Sequence, residues 1–409
     1  MKLKLITLFF TLFSFIIFAQ SDLDSPYSIF GLGKENSNFF GASSALGNTG
    51  IGYKTGTSLN KLNPASLTAI NKNSFLYEIG INNTFSIKQD NNSTQNNFDF
   101  NFTHIAIGFS ATEFWKMSFG LIPKTKVNYE IDLFQPVEGT INSYNTNIIG
   151  LGGLNEVFWG HGLKVTKNLS LGLELLAYFG SINQEKRIEY NATSIYLNEH
   201  TNYKGFGLKG AFQYSLNKTT IGATFNLPST LNGTQDVEGI KTYNSGSETS
   251  IIEETGNEIE NFELPLNIGV GISTTFKNVL LNIDLQKNYW SDSYISNSNF
   301  NYRDQSIYGL GIEYKSSKNL FQYWNKVIYR MGINYDTGYL TLSNTKIDSY
   351  GFSAGLGLPI SNNSFSTLNL SYSYGKEGTL NKNLIIDNFH KLSINVSLNS
   401  NWFQKQKIF

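Results

Sequence analysis

Cysteine is absent from the 409 residues. That excludes a disulfide framework, a thiolate metal site, a cysteine nucleophile and a lipidated cysteine anchor. Charge is thin at 15%, against roughly 25% in an ordinary soluble domain. Basic and acidic residues balance at 31 each, so no basic stripe offsets phosphate and no nucleic-acid partner is expected. The four histidines, His104, His161, His200 and His390, lie far apart and show no paired zinc spacing. P-loop and nucleophile-elbow patterns are missing. The run Gly205-Phe206-Gly207-Leu208-Lys209-Gly210 matches GxGxxG in form, but it lies in an alternating stretch with no helix after it. No enzyme, cofactor or metal is predicted. Glu248, Glu253, Glu254, Glu258 and Glu260 gather in one polar stretch; they suit calcium, or simply a solvated loop, and the lack of fixed ligand spacing favours the loop.

Long hydrophobic runs are lacking too, with one exception at the N-terminus. Lys2 and Lys4 precede an apolar run from Leu5 to Phe18, and Ala19-Gln20 offers a small-residue exit. The run has the length of a signal-peptide core and is short for a spanning helix of roughly 20 residues. Residues 1–20 are therefore expected to be a signal peptide, with an uncleaved anchor as the alternative.

From Phe75 onward the chain alternates. Leu169, Leu171, Leu173 and Leu175 recur at every second position, as do Leu264, Leu266, Ile268 and Val270, and Leu392, Ile394, Val396 and Leu398. Period two means strand, because successive side chains point to opposite faces. About fourteen such segments, roughly ten or more residues each, fit an all-β fold: an antiparallel transmembrane β-barrel over residues 74–409. The connections alternate between short turns such as Asn217-Lys218-Thr219 and longer polar stretches, the longest spanning about 229–261. A soluble two-sheet fold also alternates, but has no reason to keep that phase. Trp115, Trp159, Trp290 and Trp324 near strand ends suit interfacial girdles, and Trp402-Phe403 closes the last strand. The outer membrane is the expected location, and its lipid the first expected partner.

Residues 21–73 lack the alternation. They are rich in small residues, with Gly41-Ala42-Ser43-Ser44-Ala45, Gly50-Ile51-Gly52 and Asn63-Pro64-Ala65, and they carry Phe39 and Phe40. A barrel of about fourteen strands leaves a lumen wide enough to need filling. The segment is expected to fold into the lumen as a plug, the alternative being a loose arm. Lys116, Glu174, Lys209, Asp284, Glu313 and Arg330 fall on the inward parity of their strands, and their mixed signs suit ion pairs that hold such a plug.

A small-residue N-terminal hatch containing Asn63-Pro64-Ala65, followed by this number of strands, resembles the FadL-type family of outer-membrane transporters. The opening Ser25-Pro26-Tyr27-Ser28-Ile29-Phe30-Gly31-Leu32-Gly33 is similar to its Bacteroidota branch, as are Gly47-Asn48-Thr49-Gly50 and Asn155-Glu156-Val157-Phe158-Trp159-Gly160. The resemblance implies uptake of small hydrophobic compounds such as fatty acids. It makes Asn63, Pro64, Ala65, Phe39 and Phe40 candidates for plug or ligand contacts. It also implies a sideways exit beside a kinked third strand. In the present chain Pro123 interrupts the third strand, and the second switches parity between Phe98, Phe100, Phe102 and Ile105, Ile107, Phe109, which predicts a bulge at Thr103-His104. Pro123, Thr103 and His104 are the wall-opening candidates; a bulge that only shapes the wall is the alternative. Uptake is the first expectation; relatives in secretion machinery share the layout, so a structural or shuttle subunit of a secretion or barrel-assembly complex, partnered by other outer-membrane proteins, is the alternative.

Overall fold

A computed structural model describes residues 25–36, 40–139, 142–191, 193–243, 245–293, 300–317, 322–360 and 366–401. The signal segment 1–20, Phe39 and the pair Trp402-Phe403 lie outside the described residues.

Fourteen antiparallel strands close on themselves. They are β1 (Ser74–Gln89), β2 (Thr94–Ser110), β3 (Trp115–Pro123 and Thr125–Pro136), β4 (Ser143–Lys164), β5 (Leu169–Tyr190), β6 (Thr193–Leu216) and β7 (Thr219–Asn226 and Ser229–Thr242). There follow β8 (Glu248–Leu264 and Asn267–Phe276), β9 (Val279–Asn288), β10 (Gln305–Lys315), β11 (Ile328–Asp336), β12 (Ser349–Pro359), β13 (Thr367–Gly378) and β14 (Ile386–Asn401). Each pairs with its sequence neighbours, and β14 pairs with β1 from Ser74↔Asn401 to Gln89↔Ile386, so the sheet has no seam at its ends. No described helix is long and apolar enough to cross a membrane. Crossing is done by strands, which satisfy their polar backbone in a closed ladder.

The two faces explain the alternation. Tyr77, Ile79, Leu171, Leu173, Leu175, Ile283 and Met331 point outward and are exposed, whereas Glu78, Ser170, Glu174, Asp284 and Arg330, which alternate with them, are buried inside. An apolar band outside a polar interior is the arrangement lipid imposes. The protein lies in the outer membrane.

The wall is uneven. β4, β5 and β6 run 22, 22 and 24 residues, while β9 and β11 run 10 and 9. The difference, about a dozen residues at roughly 3.3 Å each, raises one side by on the order of 40 Å along the strands. The stretch read as a long polar loop over 229–261 belongs to this raised sheet: Ser229–Thr242 pairs with β6, and Glu248–Leu264 pairs with Ser229–Thr242. Alternation is lost there for two reasons. Water replaces lipid, so apolar residues are not demanded on one face, and register shifts between Leu231/Gly233, Gln235/Val237 and Gly239/Ile240 break the parity. The five glutamates thus sit on an exposed strand, and no acidic or histidine cluster suited to a metal occurs among the described residues.

Over the mouth, the connections after β9 and β11 fold inward as a small sheet, Phe300–Tyr302 with Leu340–Leu342 and Thr345–Lys346. Trp290 belongs to this cap rather than to a membrane girdle: it is buried and stacks on Tyr339 at 4.8 Å, because a 3-10 turn at Trp290–Asp292 turns it off the strand line. Tyr27 and Phe30 pack under the same cap.

Candidate functional site

The N-terminal segment approaches the inner wall so closely that backbone meets backbone. A Cβ at Gly172 of β5 would lie 2.3 Å from Ala65 N, one at Gly222 of β7 2.2 Å from Ile51 O, and one at Gly332 of β11 2.1 Å from Gly47 N. Gly309 and Gly311 of β10 likewise face Gly47 and Leu46. Glycines at every second position of several strands thus form a track for the segment, since only a residue without Cβ admits such an approach.

Polar side chains fix it along the track. Asn63 is fully buried and caps the 3-10 helix Pro64–Ala69, accepting from Ala65 N at 2.9 Å. Its amide nitrogen donates to Ile51 O at 2.8 Å and to Phe212 O of β6 at 3.2 Å. Pro64 occupies the first helical position, where its missing N–H costs nothing, and Ala65 is completely buried. Asp284 of β9 accepts from Gly50 N at 2.6 Å and Ile51 N at 2.8 Å. Glu78 of β1 accepts from Leu59 N at 3.1 Å, and Gln213 of β6 donates to Ile51 O at 2.9 Å. Lys61 is held between Glu156, at 2.8 Å, and Glu174. Tyr53 donates to Glu313 at 3.0 Å, and Arg330 backs that carboxylate at 2.7 Å.

Of the six inward charges singled out in the sequence, Glu174, Lys209, Asp284 and Glu313 touch the segment directly, and Arg330 acts through Glu313. Lys116 does not: its ammonium turns to Ser110 Oγ and Thr112 O at the near rim. The sequence reading missed Lys61, Glu78, Glu156 and Gln213. Glu78 had a visible signal, a lone carboxylate between Tyr77 and Ile79 on the inward parity.

Phe40 stacks on His104 with centroids 3.7 Å apart and leans on Phe158 at 6.2 Å. His104 is buried at the register shift between Gly80 and Ile81, where Thr103 is the extra residue. Asn395 Nδ2 donates to His104 Nε2 at 2.7 Å, which leaves the ring proton on Nδ1 beside Thr103 Oγ1 at 3.0 Å.

Beyond this bulge the wall is not laddered. β2 and β3 pair only from Ile105↔Leu121 to Ser110↔Lys116. Pro123 ends the first part of β3, and after it Thr125–Pro136 pairs with β4 but not, among the described residues, with β2. The free edge is taken instead by Lys34–Glu35, paired to Thr125 and Lys126, while Lys126 reaches across to Asp99 at 2.6 Å. Asn36 and Pro123 line both the lumen cavity and a groove on the outer wall.

The lumen cavity is about 400 Å³, and its walls mix charged and amide side chains, among them Lys34, Asn82, Asp99, Lys124, Asn267 and Asp336, with apolar ones such as Ile81, Ile122, Leu176 and Leu264.

Solved structures with this fold include the toluene transporter TodX of Pseudomonas putida, at 15% identity over 90% of this chain and 99% of that one, with a TM-score of 0.61. The CymD monoaromatic hydrocarbon channel gives 17% identity, coverage of 90% and 99%, and a TM-score of 0.59. A FadL homologue of Pseudomonas aeruginosa gives 11% identity, coverage of 90% and 99%, and a TM-score of 0.61. The fold is therefore the FadL-type barrel. No curated protein matches the sequence. The family model that matches is described as BamG and spans residues 1–409.

Proposed function

The chain belongs to the BamG family, and from that premise we propose that it is a sealed outer-membrane barrel serving as a structural subunit of an outer-membrane secretion or barrel-assembly complex. The N-terminal segment, residues 21–73, is the seal. One observation carries this reading: the segment is bound to the wall by buried charges and backbone contacts from β1, β4, β5, β6, β9 and β10. A gate that must move for each molecule transported needs a weak interface. Here each contact that breaks strands a buried polar group, at about 1–3 kcal/mol apiece.

Uptake of a small hydrophobic compound is the second reading, favoured by the missing ladder between β2 and β3 beside Pro123, Thr103 and His104. In that reading Phe40 and His104 form the inner end of a sideways path, and the segment around Asn63, Pro64 and Ala65 moves to admit ligand.

Extraction from native membranes in mild detergent, followed by native mass spectrometry, separates the two. A particle with stoichiometric protein partners supports the structural reading. A lone barrel carrying a small apolar adduct overturns it in favour of uptake.

A further inference from the structure

The two rims of the barrel carry opposite charge, although the chain as a whole is neutral. The rim of tight turns faces the periplasm in barrels of this kind. On it stand the exposed lysines Lys72, Lys164, Lys167, Lys218 and Lys277, against one exposed acidic residue, Glu113, among the described residues. The far rim is acidic: Glu248–Leu264 alone carries six glutamates and no cation.

The positive charge is densest where the wall from β2 to β5 meets the N-terminal segment. Lys54 of the segment donates to Ser170 Oγ of β5 at 2.9 Å, and Lys116 of β3 donates to Ser110 Oγ and Thr112 O. Lys164, at the end of β4, repels both ammoniums, and Lys72 repels that of Lys116. Glu113 lies 3.6 Å from Lys72, but both side chains are mostly exposed and water screens the pair. Among the described residues, four ammoniums thus have one weakly held counter-ion between them. A surface of one sign raises the local concentration of the opposite charge.

Geometry selects the occupant. Lys54 lies on the segment inside the ring of strands, bonded to the buried Ser170, where a bilayer lipid does not reach. From Lys116 on β3 to Lys218, in the turn after β6, the patch crosses β4 and β5. At the usual strand spacing that is roughly 14 Å, longer than one phosphate group and equal to about four residues of extended chain.

We propose, on the reading of the barrel as a subunit of a larger complex, that its periplasmic face docks an acidic extended segment of a partner polypeptide. That segment lies across the seam between wall and N-terminal segment, with its carboxylates on Lys54, Lys164, Lys167 and Lys218. Docking there also ties the seal to the wall from below, since Lys54 belongs to one and Lys164 to the other.

The test is fluorescence anisotropy of a labelled peptide of alternating glutamate and serine, with the full chain purified in a non-ionic detergent. The wild type should bind the peptide in dilute salt and release it as salt rises. Lys164→Ala and Lys218→Ala should each weaken binding up to about fivefold, the most that one exposed ion pair supplies. Lys346→Ala, on the far rim, should change nothing. Heat-modifiable migration on gels confirms that each variant is folded. Absence of binding, or binding that both lysine variants leave unchanged, overturns the proposal. Release by inorganic phosphate at an ionic strength where chloride leaves the peptide bound would mark a small-anion site, and release by phosphatidylglycerol added to the micelles a lipid site; either overturns it. Native particles that hold protein partners while the purified barrel ignores the peptide would leave the subunit reading standing and overturn the docking site alone.

Discussion

Replacing Lys61 by methionine tests how firmly the seal is held. The ammonium lies 2.8 Å from Glu156, also contacts Glu174, and sits 4.5 Å above the Phe158 ring. Both carboxylates are almost fully buried, at 6% and 2% side-chain exposure, so Lys61→Met leaves two anions without their shared cation. Breaking a buried ion pair from one side costs about 3–5 kcal/mol. At about 1.4 kcal/mol per decade, the ratio of seated to unseated segment falls between about a hundredfold and several thousandfold. The barrel ladder is not involved, so heat-modifiability should persist. Single-channel recording in planar bilayers is the assay. The wild type should stay silent, and Lys61→Met should show bursts of lumen-sized conductance, with the segment cut by added protease during the same openings. A triple variant Lys61→Met, Glu156→Gln and Glu174→Gln should be quieter than the single one, because no anion is stranded. A silent and protease-resistant Lys61→Met, or a triple variant that opens as often, would refute an ion-pair anchor.

Asn63→Ala removes a helix cap, about 1 kcal/mol, and two donations to buried carbonyls, about 1–3 kcal/mol; thermal release of the segment, followed by proteolysis, should shift down accordingly. Gly172→Val places a side chain where Ala65 N already lies 2.3 Å from a Cβ, whereas Gly210→Val meets nothing within 4 Å. The first should expel the Pro64–Ala69 helix, at about 1–3 kcal/mol of overpacking, and the second should be silent in the same proteolysis assay. Asp99→Asn removes the bridge from β2 to Lys126 across the unladdered stretch; uptake of an apolar fluorescent dye by cells should rise if molecules leave sideways, and stay constant in a sealed subunit. Tyr27 donates to Ile385 O at 2.6 Å, and burial pushes its hydroxyl up to about 12. Its folded value exceeds the unfolded one, so its contribution is complete below pH about 10 and fades as pH rises through about 12. Burial also raises the hydroxyls of Tyr302 and Tyr339 in the cap, so Tyr27→Phe should reduce the late-titrating phenolate absorbance by one tyrosine's share rather than abolish it.

Where lipid presses on one face, the strands are plain in the sequence: the alternating sets Leu169 to Leu175 and Leu392 to Leu398 fall within the strands Leu169–Tyr190 and Ile386–Asn401. Where water lies on both sides, the same backbone leaves no alternation, and Ser229–Thr242 with Glu248–Leu264 reads as loop. The candidate site was partly legible for a related reason. Proline and a parity switch are local signs, so Pro123 and Thr103-His104 stand out. Lys61 does not, because its meaning comes from Glu156 and Glu174, roughly a hundred residues away in sequence and adjacent only after closure. The glycine track could have been read: glycine at alternate inward positions, as in Gly309-Leu310-Gly311, marks a wall that something else lies against.

The uneven wall gives the molecule a compass bearing in the plane of the membrane. Along the arc from β9 to β13 the rim ends near the lipid surface, so a neighbour on that side can lean over the mouth. Along the arc from β4 to β8 the same neighbour meets a standing screen. Two such barrels placed back to back would present open mouths outward, and face to face would enclose a shared chamber between their screens. Which azimuth a companion occupies is thereby written into strand length, and shortening the tall hairpins would erase that direction while leaving the membrane ring whole.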